Sequence, residues 1–203
     1  SRYFWDMRDY NLERQVAHVI TNSLEFNTQF SEIAKRLSQS KEYAQMFEEN
    51  YGKIAKKPIY RRSISNAIAA YVNSLKSFES DFDRYARNEI DSFPEAAKNG
   101  FNLFMGKAAC GTCHFAPIFN GAVPPFYLET ESEVLGITLG FDTIQPQKDP
   151  DPGRVENGLK REILPHFNNS FKTVSVRNIA LTAPYMHNGL FETLEEVMEF
   201  YNH

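Results

Sequence analysis

The sequence predicts an all-α protein in which helices frame one long irregular stretch. Three observations carry that expectation. Apolar residues recur at helical spacing in three segments before residue 80. Seven prolines lie between residues 117 and 165, too many for long helices there. An amphipathic segment ends the chain.

The first repeat is Phe30, Ile33, Ala34 and Leu37, and the second is Tyr43, Met46, Phe47 and Tyr51. The third is Ile64, Ile68, Tyr71, Val72, Leu75 and Phe78; Gly52 and Pro58 separate it from the second. Ser92 with Glu95 three residues on reads as a capping box opening a further helix. That helix runs into residues 101–109, where Phe101, Phe104 and Met105 share a face. Residues 117–173 are expected to be loop. Thr193 is placed to cap the last helix, with Glu195 and Glu196 favourable in its first turn and an apolar face of Leu194, Val197, Met198 and Tyr201. A division between residues 80 and 92 gives two segments, 1–85 and 86–203.

Composition narrows the function classes. A chain of 203 residues that is 42% hydrophobic, with 17 Phe and 10 Tyr, can build a packed core and is not disordered. Its 22 basic against 26 acidic residues argue against a surface that works by neutralising nucleic-acid phosphates. The longest apolar run, residues 67–72, is far below the roughly 18 residues needed to span a bilayer. The chain starts at Ser1 without a basic and then apolar leader, so any targeting peptide is expected upstream or already removed.

The only two cysteines, Cys110 and Cys113, sit in the string Cys-Gly-Thr-Cys-His that ends at His114. This is the spacing of covalent haem c attachment. Two thiols add across the two vinyl groups of one porphyrin, and the adjacent imidazole is carried under the ring to ligate iron. A structural zinc site would need a second ligand pair, which the sequence lacks. A thioredoxin-like pair prefers a strand-to-helix turn, whereas a helical pattern precedes this one. A plain disulfide remains the alternative, and the following histidine argues against it. With haem attached, the helices read as one or more cytochrome c-like domains with long loops.

Further stretches carry a family resemblance. Phe4-Trp5-Asp6-x-Arg8, Asn22-Ser23-Leu24-Glu25, Phe82-Asp83-Arg84-Tyr85, the cysteine motif, Asp151-Pro152-Gly153-Arg154 and residues 171–189 occur in this order. In that arrangement the chain resembles the bacterial di-haem cytochrome c peroxidases and MauG proteins along essentially its whole length. The resemblance implies two c-type haems in a complete protein, one of them in this chain. Residues 1–85 are then the remainder of the N-terminal, peroxidatic haem domain, and residues 86–203 the C-terminal haem domain. On this reading the chain is a fragment, and alone it is expected to turn over little peroxide.

The same resemblance implies roles for particular residues. Glu25 falls where a distal carboxylate assists proton transfer in bound hydrogen peroxide; read alone it is a solvated glutamate. Trp5 falls where a tryptophan helps electrons pass between haems; read alone it is core packing. Thr182 and Pro184 match positions whose carbonyls hold calcium, or else form an ordinary turn. Arg154 and Arg177 are candidates to neutralise haem propionates, with a solvated loop arginine an equal reading. The distal ligand of the second haem falls on Tyr201, as in MauG-like members, with Met198 one turn back as second choice. Met186 and His187 are read as loop packing beside the haem edge, and His18, His166 and His203 as surface or core histidines.

The resemblance therefore implies an oxidoreductase that reduces hydrogen peroxide with electrons passed through the second haem, or a MauG-like oxidant of a protein substrate. A small electron-donor protein and a second copy of the chain are the other candidate partners. Thioether attachment follows export, so a periplasmic location is expected. The alternative function is a mono-haem electron carrier without catalysis. Carriers are usually much shorter and lack the segments around Trp5 and Glu25.

Overall fold

The computed structural model describes residues 2–140 and 145–202, so His203 lies outside the described residues. The chain divides into two compact units, Asp9–Phe93 and Ser1–Arg8 with Pro94–His203. The division thus falls after residue 93 rather than after 85, and the first eight residues go with the C-terminal segment.

Asp9–Phe93 is helical. It contains α1 (Leu12–Thr21), α2 (Phe30–Gln39), α3 (Lys41–Tyr51), α4 (Arg61–Ser74) and the short α5 (Asp81–Ala86). Helices α2, α3 and α4 are the three expected from spacing; α1 is an addition. Its stripe is Leu12, Val16, Ala17 and Ile20, all buried, and Asn11 caps it by accepting the Arg14 N–H at 2.9 Å. This stripe packs on α4, where Ile64 and Ala69 are also buried.

Two local signals resolve differently from expectation. Ser92 caps no helix: α6 (Glu95–Met105) starts behind Pro94. The residue before a proline is pushed into extended conformation, so a helix cannot begin at Phe93, and Pro94 itself, with ψ of 132°, stands as the N-cap. The reciprocal capping box is formed at α5, where the Ser80 hydroxyl accepts the Asp83 N–H and the Asp83 carboxylate accepts the Ser80 N–H.

The other unit holds α6, the cysteine turn, a long loop region and α7 (Leu194–Asn202). As expected, the described loop residues form no long helix. They make short 3-10 turns and one pair of two-residue strands, β1 (Ser132–Glu133) antiparallel to β2 (Phe171–Lys172), with Glu133 opposite Phe171. Beside it Gly121, Glu131 and Thr173 exchange backbone hydrogen bonds of 2.9–3.1 Å. Thr193 caps α7 as expected: its hydroxyl accepts the Glu196 N–H, and the Glu196 carboxylate accepts the N–H groups of Glu192 and Thr193.

Gly153 is required where it stands. Its φ is +63°, and an added Cβ would lie 2.4 Å from the Ser170 carbonyl oxygen. Gly153→Ala is therefore expected to cost about 1–3 kcal/mol in backbone strain, with the clash in addition. A urea unfolding titration of the haem-loaded protein measures this as a lowered midpoint at unchanged slope.

Candidate haem-attachment site

Helix α6 delivers the cysteine motif. It ends at Gly106; Ala109 then takes a left-handed conformation, and Cys110–Thr112 form a 3-10 turn. Gly111 is held against α6, where a Cβ would sit 2.6 Å from the Met105 sulfur. The N–H groups of Cys113 and His114 both donate to the Cys110 carbonyl, which tightens the motif into one turn. Both thiols are free and partly exposed. Burial pushes the Cys113 thiol up, so it is protonated at neutral pH.

His114 is prepared for ligation. Its Nδ1 lies 3.0 Å from the Val174 carbonyl oxygen and 3.3 Å from that of Phe119. Two acceptors facing one nitrogen require the proton there, which leaves the Nε2 lone pair for a metal. Burial lowers the imidazole below its ordinary value, so the ring is neutral. Phe104 packs 6.4 Å from the imidazole and 5.9 Å from Phe119, so the apolar face of α6 supports the ring.

Helix α7 carries Tyr201 and Met198. Tyr201 is half-exposed at its outer edge, and desolvation of the rest of the side chain, with Cys113, Cys110 and Glu133 near it, raises the phenol. Phe200 links it to the core, 5.2 Å from Tyr201 and 5.5 Å from the buried Phe191. Met198 lines a separate shallow groove with Leu194, Glu195, Glu199 and Asn202.

These residues fit a covalent haem. Both α6 and α7 are amphipathic, yet neither has a buried residue, and Leu103, Met198 and Tyr201 are each more than half exposed. Apolar faces on the two helices that carry the cysteine turn and the phenol suit a flat apolar macrocycle. The neutral, oriented imidazole could supply a proximal ligand to such a group.

The remaining expected site residues are placed as follows. Arg177 donates to the Pro117 carbonyl from Nε and Nη2, at 3.0 and 2.7 Å, bracing the chain just after His114. Arg154 is directed elsewhere. Its Nε is 3.0 Å from Glu162, its Nη1 donates to Ser132, and its guanidinium lies 3.8 Å over the Phe167 ring. The propionate role for Arg154 therefore competes with an internal ion pair that already holds its guanidinium. Thr182 closes a 3-10 turn, its N–H donating to the Ile179 carbonyl, and Pro184 follows on an exposed cis peptide. Trp5 is 39% exposed, and its carbonyl accepts the Lys172 N–H at 2.8 Å. In the helical unit Glu25 is exposed on the turn after α1. The Asn22 amide holds its carboxylate at 2.7 Å, and Leu24 and Phe26 beside it are 92% and 69% exposed.

Two buried polar clusters were not anticipated from the sequence. Glu162, only 6% exposed, accepts from Arg2, Arg154 and Asn157. Asp149 pairs with His187 at 3.2 Å and with Asn188 at 2.8 Å, and the His187 ring stacks at 3.5 Å on Phe171. Burial opposes ionisation of both carboxylates, but their hydrogen-bond donors prevail and hold each below its ordinary value. Carboxylates lowered in this way stabilise the fold above their unfolded values, 3.8 for Asp149 and 4.5 for Glu162, and the stabilisation is lost as pH falls through the lower folded values. The urea midpoint is thus expected to fall steeply between about pH 5 and pH 2. In Glu162→Gln that fall should be visibly shallower, and an equal fall in the variant would contradict the assignment.

Comparison with known proteins was made against this geometry. Residues 1–91 match the family model described as di-haem cytochrome c peroxidase. The methylamine utilization protein MauG of Methylorubrum extorquens is 30% identical over 201 residues, covering 99% of this chain. The chain is thus similar to di-haem cytochrome c peroxidases over residues 1–91 and to MauG along its whole length. The cytochrome c551 peroxidase of Nitrosomonas europaea is 28% identical over 197 residues. A solved MauG-like protein associated with microbial copper homeostasis superposes with a TM-score of 0.78 at 27% identity, covering 98% of this chain and 57% of its own. The diheme peroxidase BthA of Burkholderia thailandensis shares the fold, with a TM-score of 0.69 at 18% identity. The chain spans about half the length of the curated relatives it matches, 51% of MauG and 53% of the peroxidase. The family carries haem c, and among the described residues no helix is long and apolar enough to cross a membrane.

Proposed function

We propose that this chain is the part of an exported di-haem oxidoreductase that holds one covalent haem and contributes to the peroxide-reducing site of the other. The observation that carries the reading is His114, whose Nδ1 is committed to two carbonyl oxygens while Nε2 is left for iron. Cys110 and Cys113 would form the thioethers, and His114 the proximal bond. A bound c-type haem supplies one-electron redox chemistry at iron.

The other roles concern this chain's own groups. Glu25 takes the acid and base role: peroxide reduction needs one proton removed from the oxygen that binds and one delivered to the oxygen that leaves, and a single positioned carboxylate does both. Asn22 fixes the carboxylate for it. Trp5 takes the relay role. Tyr201 is preferred to Met198 as distal ligand, since it stands at the position that carries a tyrosine in MauG-like members. A phenolate favours ferric and higher-valent iron, which suits MauG-like oxidation of a protein substrate; a thioether would suit uptake of electrons from a small donor protein. Calcium on the Thr182 and Pro184 carbonyls, a periplasmic location and a homodimer complete the reading.

A carrier without catalysis would have no use for Glu25 or for the helical unit that holds it. The test is a haem count on the native protein, by pyridine haemochrome and intact mass, together with peroxide-dependent turnover. Two covalent haems with turnover support the reading; one haem without turnover returns the carrier, and none returns Cys110 and Cys113 to a disulfide.

A further inference from the structure

The segment around Trp5 is held in a way that packing alone does not require. Phe4 and Met7, which flank it, both have left-handed backbones, with φ of +65° and +62°. Non-glycine residues there carry strain that the surroundings must overcome. Four carbonyls of the segment are pinned in turn. That of Arg2 accepts from the Lys172 ammonium, that of Trp5 from the Lys172 N–H, that of Asp6 from Asn157, and that of Met7 from Arg2 itself.

Two of these four bonds, those from Asn157 and Arg2, lead to one group. Arg2 is oriented by Glu162 at 3.0 Å, and Asn157 by Glu162 at 2.6 Å, while Arg154 closes the cluster from the other side at 3.0 Å. Glu162 is thus a buried carboxylate surrounded by two guanidiniums and an amide, and two of those three partners, Arg2 and Asn157, reach back to the Met7 and Asp6 carbonyls that directly follow the indole residue. A buried ion cluster is an expensive way to stabilise a fold, and its best attested use is to fix one geometry.

We propose that Glu162, acting through Arg2 and Asn157, is the positioning residue for Trp5, fixing the orientation of the indole. The relay role of Trp5 rests on the function proposed above, whereas its positioning by Glu162 does not. Trp5 is the sole tryptophan of this chain, so its orientation can be read separately from any turnover.

The experiment compares the haem-loaded 203-residue chain with its Glu162→Gln and Asn157→Ala variants. Trp5 emission anisotropy, near-ultraviolet circular dichroism and acrylamide quenching are read at a temperature where far-ultraviolet spectra show all three folded. Asn157→Ala leaves the ion pairs of Glu162 with both arginines in place, so it covers the case in which Glu162→Gln does not fold. The expected result is lowered anisotropy, weakened indole fine structure and about twofold greater quenching, as for a side chain released from a fixed contact set. Folded variants with unchanged Trp5 signals would overturn the proposal, as would a change in melting temperature alone. A Trp5→Phe protein that retains full turnover would remove the relay role and leave the positioning standing.

Discussion

Replacing His114 with alanine, which removes the proposed proximal ligand, is the largest effect expected from a single substitution in this chain. Nothing else on the cysteine turn offers a nitrogen, and the Val174 and Phe119 carbonyls would face an empty place. The ferric spectrum should lose its proximal-histidine signature. The yield of covalent haem should drop, and the thermal midpoint should fall by about 10 °C as α6 and α7 lose the group they close on. The pyridine haemochrome assay, the Soret band and a melting curve report these three separately. An unaltered ferric spectrum in folded, haem-loaded His114→Ala would contradict the ligand assignment.

The second large effect is at Glu25. Glu25→Gln keeps the shape and the Asn22 contact but removes the proposed proton acceptor, so peroxide turnover in the complete protein should fall by about 10²- to 10⁴-fold with haem content unchanged. Asn22→Ala should give a smaller loss in the same direction, because the carboxylate is then free to swing. If Glu25→Gln retains full turnover, the proton is handled elsewhere and the reading of this turn is wrong. The two substitutions lie in different units, which makes their effects separable: one alters a spectrum, the other a rate.

What could be read from the sequence follows the range of the interaction involved. The cysteine motif, α2, α3 and α4, the Thr193 cap and the irregular stretch are set by neighbours a few residues apart, and each appears in the structure. Pro94 overrode the Ser92 signal for an equally local reason, two residues further on. The stripe of α1 follows the same rule, with Leu12, Val16, Ala17 and Ile20 at helical spacing. The clusters at Glu162 and Asp149 were not readable. Arg2 meets Glu162 across 160 residues, and His187 meets Asp149 across 38, with no periodicity joining them. For the same reason Arg154 looked free in the sequence, although the fold commits it to Glu162.

The lock on His114 sets an order of events in the life of the protein. Thioether formation reads five consecutive residues and can take place on an extended chain. The Phe119 carbonyl is five residues away, but the Val174 carbonyl is 60 residues further on, so the acceptor pair is complete only after the chain has folded back to Val174. On the proposed haem assignment, attachment precedes completion of this pair, and the completed pair is itself a reporter of folding. In a refolding experiment on haem-loaded chain, the proximal-ligand spectrum should arise together with burial of the loop and not with the formation of α6.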